Sequence, residues 1–163
     1  MVQIRPAEAR DAAAVAAIWN PVIRDTAITF TTLEKTPEGL AAAFAAGTAE
    51  DRPFLLAEEG GAVLGFATYG PFRGGPGYAR TMEHTVILGP QARGRGVGRA
   101  LMAAVEDHAR ARGIHSLWGG VSAENPDAVA FHRAIGFAEV ARLPEVGFKF
   151  GRWMDLVLVQ KIL

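Results

Sequence analysis

The spacing of apolar residues divides the first part of the chain into helical and extended segments. After Asp11, apolar residues recur every three or four positions, at Val15, Ile18, Trp19 and Val22. This spacing predicts an amphipathic helix, and Pro21 predicts its end. Residues 2–6 predict a short strand before it. The β-branched residues of segment 27–34 predict either a strand or an extended loop.

Helix caps and glycine pairs mark the next elements. Thr36-Pro37-Glu38 predicts a helix start, because it combines a capping hydroxyl, a proline in the first turn and an acid near the positive end of the helix dipole. Leu40 and Phe44 form one apolar face of this helix, and Gly47 predicts its end. Residues 53–70 contain two strand-like runs joined by Gly60-Gly61, which indicates a β-hairpin.

The second half alternates strands and helices. A glycine- and proline-rich loop (71–80) precedes a predicted strand at 81–88, a glycine-rich loop and a helix that Gly113 ends. Predicted strands at 115–123 and 152–163 flank a helix at 125–137, which Asn125-Pro126 opens and Gly136 ends. Together with the hairpin of the first half, this order predicts one mixed α/β (α+β) domain over residues 1–163.

Composition narrows the class of protein. The chain has 163 residues, half of them hydrophobic, which suits one folded domain. Lys+Arg and Asp+Glu both number 17, and this balance argues against nucleic acid or an anionic membrane as partner. Cysteine is absent, so disulfides and thiol nucleophiles are excluded. No stretch is long and apolar enough for a signal core or a membrane helix, and we expect a soluble cytoplasmic protein.

The segment PQARGRGVGRAL (90–101) indicates an anion site. It lies between a predicted strand and a predicted helix, where free N–H groups and the positive end of the helix dipole favour phosphate. Gly94, Gly96 and Gly98 permit a ligand to approach the backbone closely. A nucleotide-triphosphatase loop does not fit, because Gly98 is followed by Arg99-Ala100, and a dinucleotide fingerprint does not fit, because Arg99 stands where its third glycine belongs.

The pattern that fits is Arg-x-x-Gly-x-Gly, formed by Arg93, Gly96 and Gly98. Here the chain resembles the GNAT superfamily of acyl-CoA-dependent N-acyltransferases, in which this strand, loop and helix bind the coenzyme A pyrophosphate. The segment NPDAVAFHRAIGF resembles the second coenzyme-binding helix of that family. The resemblance implies the GNAT fold, a mixed, mostly antiparallel sheet flanked by helices, and acetyl-CoA as co-substrate. The coenzyme-binding residues that it implies are Val86, Ile87, Leu88, Arg93, Gly94, Arg95, Gly96, Val97, Gly98, Arg99 and Asn125.

The resemblance extends to one branch of the family. YGPFRGG, YARTMEHTVIL and the pattern Gly147-x-Lys149-x-Gly151-x-Trp153-x-Asp155 resemble the phosphinothricin and methionine sulfoximine N-acetyltransferases. The chain departs from that branch on the acceptor side, with Phe72 where tryptophan is frequent, Ile87 where tyrosine is frequent, and Ala79 beside Arg80 where arginine is found. The resemblance and the apolar last strand also imply a homodimer.

Three side chains are candidates for the proton transfers that N-acylation requires. An α-amino group is largely protonated near neutral pH, and the resemblance assigns its deprotonation to Glu83, which is otherwise a solvated strand residue. His84 points to the opposite face of the strand and is either a substrate contact or a packed histidine. His132 lies on the second coenzyme helix and either donates a proton to the departing thiolate or is a surface residue.

Arginines suggest how an acidic acceptor is bound. Arg73 or Arg80, in the loop before Glu83, would pair with a carboxylate, or both are solvated loop charges. The implied acceptor-binding residues are Phe72, Arg73, Arg80, Glu83, His84 and Thr85. We expect no metal site, because no paired-histidine spacing is present. Lys149 and Arg152, near Trp153, face either the acceptor or a partner subunit.

The sequence therefore predicts direct acetyl transfer from acetyl-CoA to the α-amino group of a small amino-acid analogue, of the methionine sulfoximine, methionine sulfone or phosphinothricin type. Two alternatives remain at this point. One is an acetyltransferase for another amine, such as a polyamine or a protein N-terminus, and the other is a coenzyme-binding module without turnover.

Overall fold

A seven-stranded sheet forms the centre of the computed structural model, which describes residues 1–163. The strands are β1 (Gln3–Pro6), β2 (Phe54–Glu59), β3 (Ala62–Pro71), β4 (Thr81–Leu88), β5 (Ser116–Ser122), β6 (Ala138–Lys149) and β7 (Arg152–Ile162). Their order across the sheet is β1-β2-β3-β4-β5-β7-β6. Only β4 and β5 pair in parallel, which confirms the mixed, mostly antiparallel α/β fold.

Four helices cover the two faces of this sheet. They are α1 (Ala12–Asp25), α2 (Pro37–Ala49), α3 (Val97–Ala111) and α4 (Pro126–Ala134). Successive strand residues point to opposite faces. Leu56 and Phe66 therefore pack under α1 and α2, whereas their neighbours Ala57 and Ala67 pack in the larger core under α3. None of the helices combines the length and the hydropathy that a membrane-spanning helix needs.

Local chemistry explains several element ends. The Thr36 hydroxyl accepts a hydrogen bond from the Gly39 amide at the start of α2, and the Asn125 side chain accepts one from the Ala128 amide at the start of α4. Gly60 and Gly61 turn the β2–β3 hairpin with positive φ angles of 58° and 82°, as predicted. Segment 27–34 is a loop rather than a strand.

Two predicted helix ends and one missing strand need correction. Helix α1 continues through Pro21 to Asp25, because Ile23 is completely buried and so favours another helical turn. Helix α2 likewise runs past Gly47 to Ala49. Strand β6 was not predicted. It lies at the sheet edge and is mostly exposed, so burial imposes no alternation on its sequence, and its pairing register shifts between Leu143 and Gly147, where Pro144 lies.

Candidate active site

The sheet opens between β4 and β5. Their parallel pairing covers only three residue pairs, the last of them Glu83 with Trp118, although β4 continues to Leu88 and β5 to Ser122. Beyond Glu83, the edge of β4 that faces β5 has no strand partner. Backbone N–H and C=O groups along this edge are therefore free to bind a ligand that enters the gap.

Two adjoining cavities occupy this gap. The first, which we call the Glu83 cavity, has a volume of about 330 Å³. Residues 83–87 of β4, 119–122 of β5 and 28–31 of the α1–α2 loop line it, together with Trp19, Asn125, Ala128, His132 and Leu156. The second, the Arg93 groove, has a volume of about 380 Å³ and is lined by Val22, Ile28, Val86, Ile87, Leu88, Arg93, Gly94, Gly98, Asn125, Asp127, Ala128, Phe131 and His132. Six residues line both cavities, so the two form one continuous cleft.

Glu83 supplies the one carboxylate of the Glu83 cavity. It lies on the α1–α2 face of the sheet, where Gly120 of β5 leaves room for it. A Cβ atom on Gly120 would stand 3.3 Å from Glu83 Oε1. Glu83 as a residue is solvent-exposed, but desolvation of its carboxyl by the surrounding protein, with no compensating cation, raises the pKa of that carboxyl. A carboxylate with a raised pKa is a stronger base, which suits removal of a proton from an ammonium group.

His84 lies on the opposite face, as predicted, and is buried (6% exposed). Gly119 makes this position possible, because a Cβ there would lie 2.6 Å from the His84 ring. The two adjacent glycines of β5 thus make room for Glu83 on one face and His84 on the other. A glycine pair inside a strand is a sequence signal of such close approach.

His84 and His132 form a buried pair. Their Nε2 atoms are 2.8 Å apart, and His132 Nδ1 lies 2.7 Å from the Ala128 carbonyl oxygen. Because a carbonyl only accepts, His132 Nδ1 carries the proton, and the neutral ring accepts at Nε2. His84 Nε2–H then donates to it, and His84 Nδ1 keeps an unpartnered lone pair. His132 is therefore not a surface residue, and it has no N–H free for a ligand in this arrangement.

Burial keeps this pair neutral. Desolvation, followed by the proximity of His132, lowers the pKa of His84 to about 3, and interaction with the Trp118 backbone opposes this only weakly. Desolvation also lowers the pKa of His132. Both rings are consequently neutral near pH 7.

The glycine loop is open, as an anion site requires. Gly94 and Gly96 have φ angles of 73° and 76°, and no atom lies within 4 Å of a Cβ built on either. A Cβ atom built on Gly98, by contrast, would lie 3.3 Å from Leu88 and Phe131, so the lack of a side chain at Gly98 lets α3 approach β4 and α4 closely.

The basic side chains of this loop are placed differently from one another. Arg95 forms an ion pair with Glu59 at 2.7 Å, which directs it away from the groove. Arg93 lines the Arg93 groove, and Arg99 is exposed on the first turn of α3. Val97 is buried in the core, and Gly96 caps the helix without lining the groove.

The predicted acceptor arginines are separated. Phe72 stacks on Trp118 at 5.2 Å, beside the last β4–β5 pair, and the Arg73 guanidinium lies 5.7 Å from the Phe72 ring centre. Arg73 therefore stands at the outer end of an aromatic stack that begins next to Glu83. The Arg80 guanidinium instead approaches Gly113, at the end of α3. Neither arginine lines the Glu83 cavity.

Several lining residues escaped prediction. The α1–α2 loop contributes Ile28, Thr29, Phe30 and Thr31, and α1 contributes Trp19, for which the sequence predicts only a place on the apolar face of the helix. No local motif marks these residues, because they reach the cavity through tertiary folding. No group of three or more His, Asp or Glu side chains is placed to share a metal ion.

Comparison with known proteins agrees with this arrangement. The model of the acetyltransferase (GNAT) family matches residues 19–137. The L-amino acid N-acyltransferase MnaT of Escherichia coli K12 is 36% identical, over 98% of this chain and 92% of that protein. The L-methionine sulfoximine/L-methionine sulfone acetyltransferase of Salmonella typhimurium is 35% identical, over 96% of this chain and 92% of that protein.

One solved structure has a fold similar to that of this chain. The phosphinothricin acetyltransferase of Sinorhizobium meliloti, in complex with acetyl-CoA, superposes with a TM-score of 0.93 at 29% identity, covering 99% of this chain and 88% of that one. The chain belongs to the acetyltransferase (GNAT) family and is an acyltransferase. The resemblance to the phosphinothricin and methionine sulfoximine branch is confirmed.

The neutral histidine pair predicts a pH effect on stability. In the unfolded chain a histidine gains its proton near pH 6.5, whereas His84 resists protonation down to about pH 3. The free energy of unfolding should therefore fall as the pH drops from about 6.5 towards 3, by up to about 1.4 kcal/mol per pH unit for one proton. His84→Gln should lessen this slope, and exposed His115→Gln should leave it unchanged. Equal slopes in all three proteins, measured by urea titration, would contradict the assignment.

Proposed function

We propose that residues 1–163 act as one N-acetyltransferase domain that transfers the acetyl group of acetyl-CoA to the α-amino group of a small amino-acid analogue. The observation that carries this proposal is the Glu83 carboxylate, unpaired and partly desolvated, in a cavity continuous with an open glycine loop. Methionine sulfone, methionine sulfoximine and phosphinothricin are the acceptors to test, because similar proteins are named for them.

The Arg93 groove fits the coenzyme. Open space above Gly94 and Gly96, free N–H groups in the first turn of α3, and the Arg93 guanidinium suit a pyrophosphate. The unpaired edge of β4 over 86–88 suits the amide groups of a pantetheine chain. Acetyl-CoA supplies an activated thioester, and the continuity of the two cavities would bring it beside Glu83.

Glu83 is the proposed general base. Its carboxylate oxygen would accept a proton from the acceptor's ammonium group and leave a neutral amine able to attack. Its raised pKa makes the transfer less unfavourable than it would be to an ordinary glutamate. His132 has a different part in this proposal. Both of its ring nitrogens are engaged, with Ala128 and His84, so it shapes the cleft in the resting enzyme and has no free proton for the thiolate.

Arg73 is the proposed partner of the acceptor carboxylate. An α-amino acid carries both charges, and its ammonium group would approach Glu83 while its carboxylate points outward along the Phe72–Trp118 stack towards Arg73. Arg80 is not proposed for this task, because its side chain lies beside Gly113. This arrangement favours an amino acid over a polyamine.

A homodimer is proposed for the assembly. Phe148, Phe150 and Trp153, near the β6–β7 turn, are each more than half exposed, and β6 forms a free edge of the sheet. An exposed apolar cluster beside a free strand edge favours association with another chain.

Replacing Glu83 tests the base. Glu83→Gln keeps the shape of the side chain, and turnover near neutral pH should fall by about 10²–10⁴ while acetyl-CoA binding stays unchanged. The deficit should shrink as the pH rises towards the pKa of the amine, because the acceptor then arrives neutral. Initial rates across pH measure both effects, with exposed Glu38→Gln as control. Wild-type turnover in Glu83→Gln would remove the proposed base.

The two arginines form a matched pair of variants. Arg73→Ala should raise the acceptor KM by roughly 10- to 100-fold, the worth of one charge-assisted pair, and Arg80→Ala should leave it nearly unchanged. The Arg73→Ala effect should disappear when the acceptor is an amino-acid amide, which lacks the carboxylate. Steady-state kinetics with the amino acid and with its amide measure both effects. Equal effects of the two substitutions on the acceptor KM would contradict the proposed placement of the carboxylate beside Arg73.

The mass of the protein in solution tests the proposed dimer directly. Sedimentation at micromolar concentration should give about twice the chain mass of 17.3 kDa, and Trp153→Glu should shift the protein towards the monomer by placing a charge in the apolar contact. A wild-type monomer would refute the assembly.

A further inference from the structure

Lys149 is a buried ammonium group without a counter-ion. It is 3% exposed and lies at the end of β6. Its Nζ donates to the carbonyl oxygens of Thr26 and Thr29, at 2.6 and 2.8 Å, and no carboxylate lies within ion-pair distance. Desolvation lowers its pKa. Burial of a charge without a counter-ion lowers the free energy of unfolding, because the charge loses its hydration.

Both carbonyl groups that accept hydrogen bonds from Lys149 belong to the loop that lines the Glu83 cavity. Residues 28–31 of that loop form part of the cavity wall. The α1–α2 loop, which runs from Thr26 to Thr36, has no regular structure of its own. The two hydrogen bonds of Lys149 join this loop to a strand residue that is 120 and 123 positions away in the chain from the two carbonyl groups.

A second contact joins the same elements. The Phe30 ring lies on Gly147, so closely that a Cβ there would stand 2.4 Å from a ring atom. Gly147 and Lys149 are alternate residues of β6, so the strand holds the loop once by packing and once by hydrogen bonds. The loop also contains Thr29, whose buried hydroxyl oxygen makes no hydrogen bond within the protein. This leaves one polar group of the cavity wall unused.

We propose that Lys149 is a positioning residue for the acceptor: by binding the carbonyl groups of Thr26 and Thr29, it fixes the loop wall of the Glu83 cavity. The inference rests on the proposed function for its link to the acceptor. It predicts a selective effect, because the loop gives four residues to the Glu83 cavity and only Ile28 to the Arg93 groove. Loss of the ammonium should weaken acceptor binding far more than acetyl-CoA binding.

Lys149→Met is the test variant, because it keeps most of the side-chain length and removes the charge and its donors. The acceptor KM, with methionine sulfone, should rise about tenfold or more, while the acetyl-CoA Kd from calorimetry should change less than about twofold. Hydrogen exchange of the amides of residues 27–33 should become faster. Arg142→Met, on the exposed side of the same strand, is the control and should change none of the three.

A second variant tests the same inference if Lys149→Met does not fold. Gly147→Ala keeps Lys149 but pushes the Phe30 ring, and it should reproduce the selective rise in acceptor KM and the faster exchange. Wild-type KM and wild-type exchange in Lys149→Met, or in Gly147→Ala if Lys149→Met does not fold, would overturn the inference. An equal loss of acetyl-CoA binding would also overturn it. If the wild-type protein acetylates no amino acid, the proposed function fails instead, and loop exchange alone then decides whether Lys149 holds the loop.

Discussion

The early end of the β4–β5 pairing is the constraint on which the site depends. Parallel strands normally continue their hydrogen bonds side by side, and here the bonding stops after the pair Glu83 and Trp118. The space beyond this pair is walled by α4 on one face and by the α1–α2 loop on the other. It runs directly into the groove beside the glycine loop. In the proposed function, the last bonded pair therefore marks the point where the amine and the thioester would meet.

Much of the fold was predictable because chemical signals mark the element ends. Thr36 and Asn125 cap helices, and Gly60-Gly61 turns a hairpin, through interactions that lie within a few residues of one another. The failures concern elements that tertiary packing decides. Burial of Ile23 carries α1 through Pro21. Strand β6 forms because β7 offers it an edge, although its own sequence lacks an alternating pattern.

The features of the site also divide into those that local sequence predicts and those that tertiary packing decides. Strand alternation predicted that Glu83 and His84 lie on opposite faces, and the glycine pattern predicted an open loop between β4 and α3, because both follow from local geometry. The sequence left the environment of His132 open, since its partner His84 is 48 residues away. The hold of Lys149 on the α1–α2 loop spans a still longer stretch of chain, and no pattern within either segment indicates it.

The distribution of charge in the cleft can be compared with the two ligands of the proposed function. In the Glu83 cavity the only ionised lining group is Glu83, since His84 and His132 are neutral through desolvation. An ammonium group is the ligand charge that complements such a cavity. The neighbouring groove is lined by one cation, Arg93, and one carboxylate, Asp127, and Arg73 stands outside the cleft, behind the Phe72 ring. In the proposed function, the acceptor's ammonium group would lie beside Glu83, with the acceptor carboxylate directed towards Arg73 and the coenzyme phosphates beside Arg93. Because opposite charges at fixed positions also penalise the reversed orientation, an amino acid would enter with its amine towards the thioester.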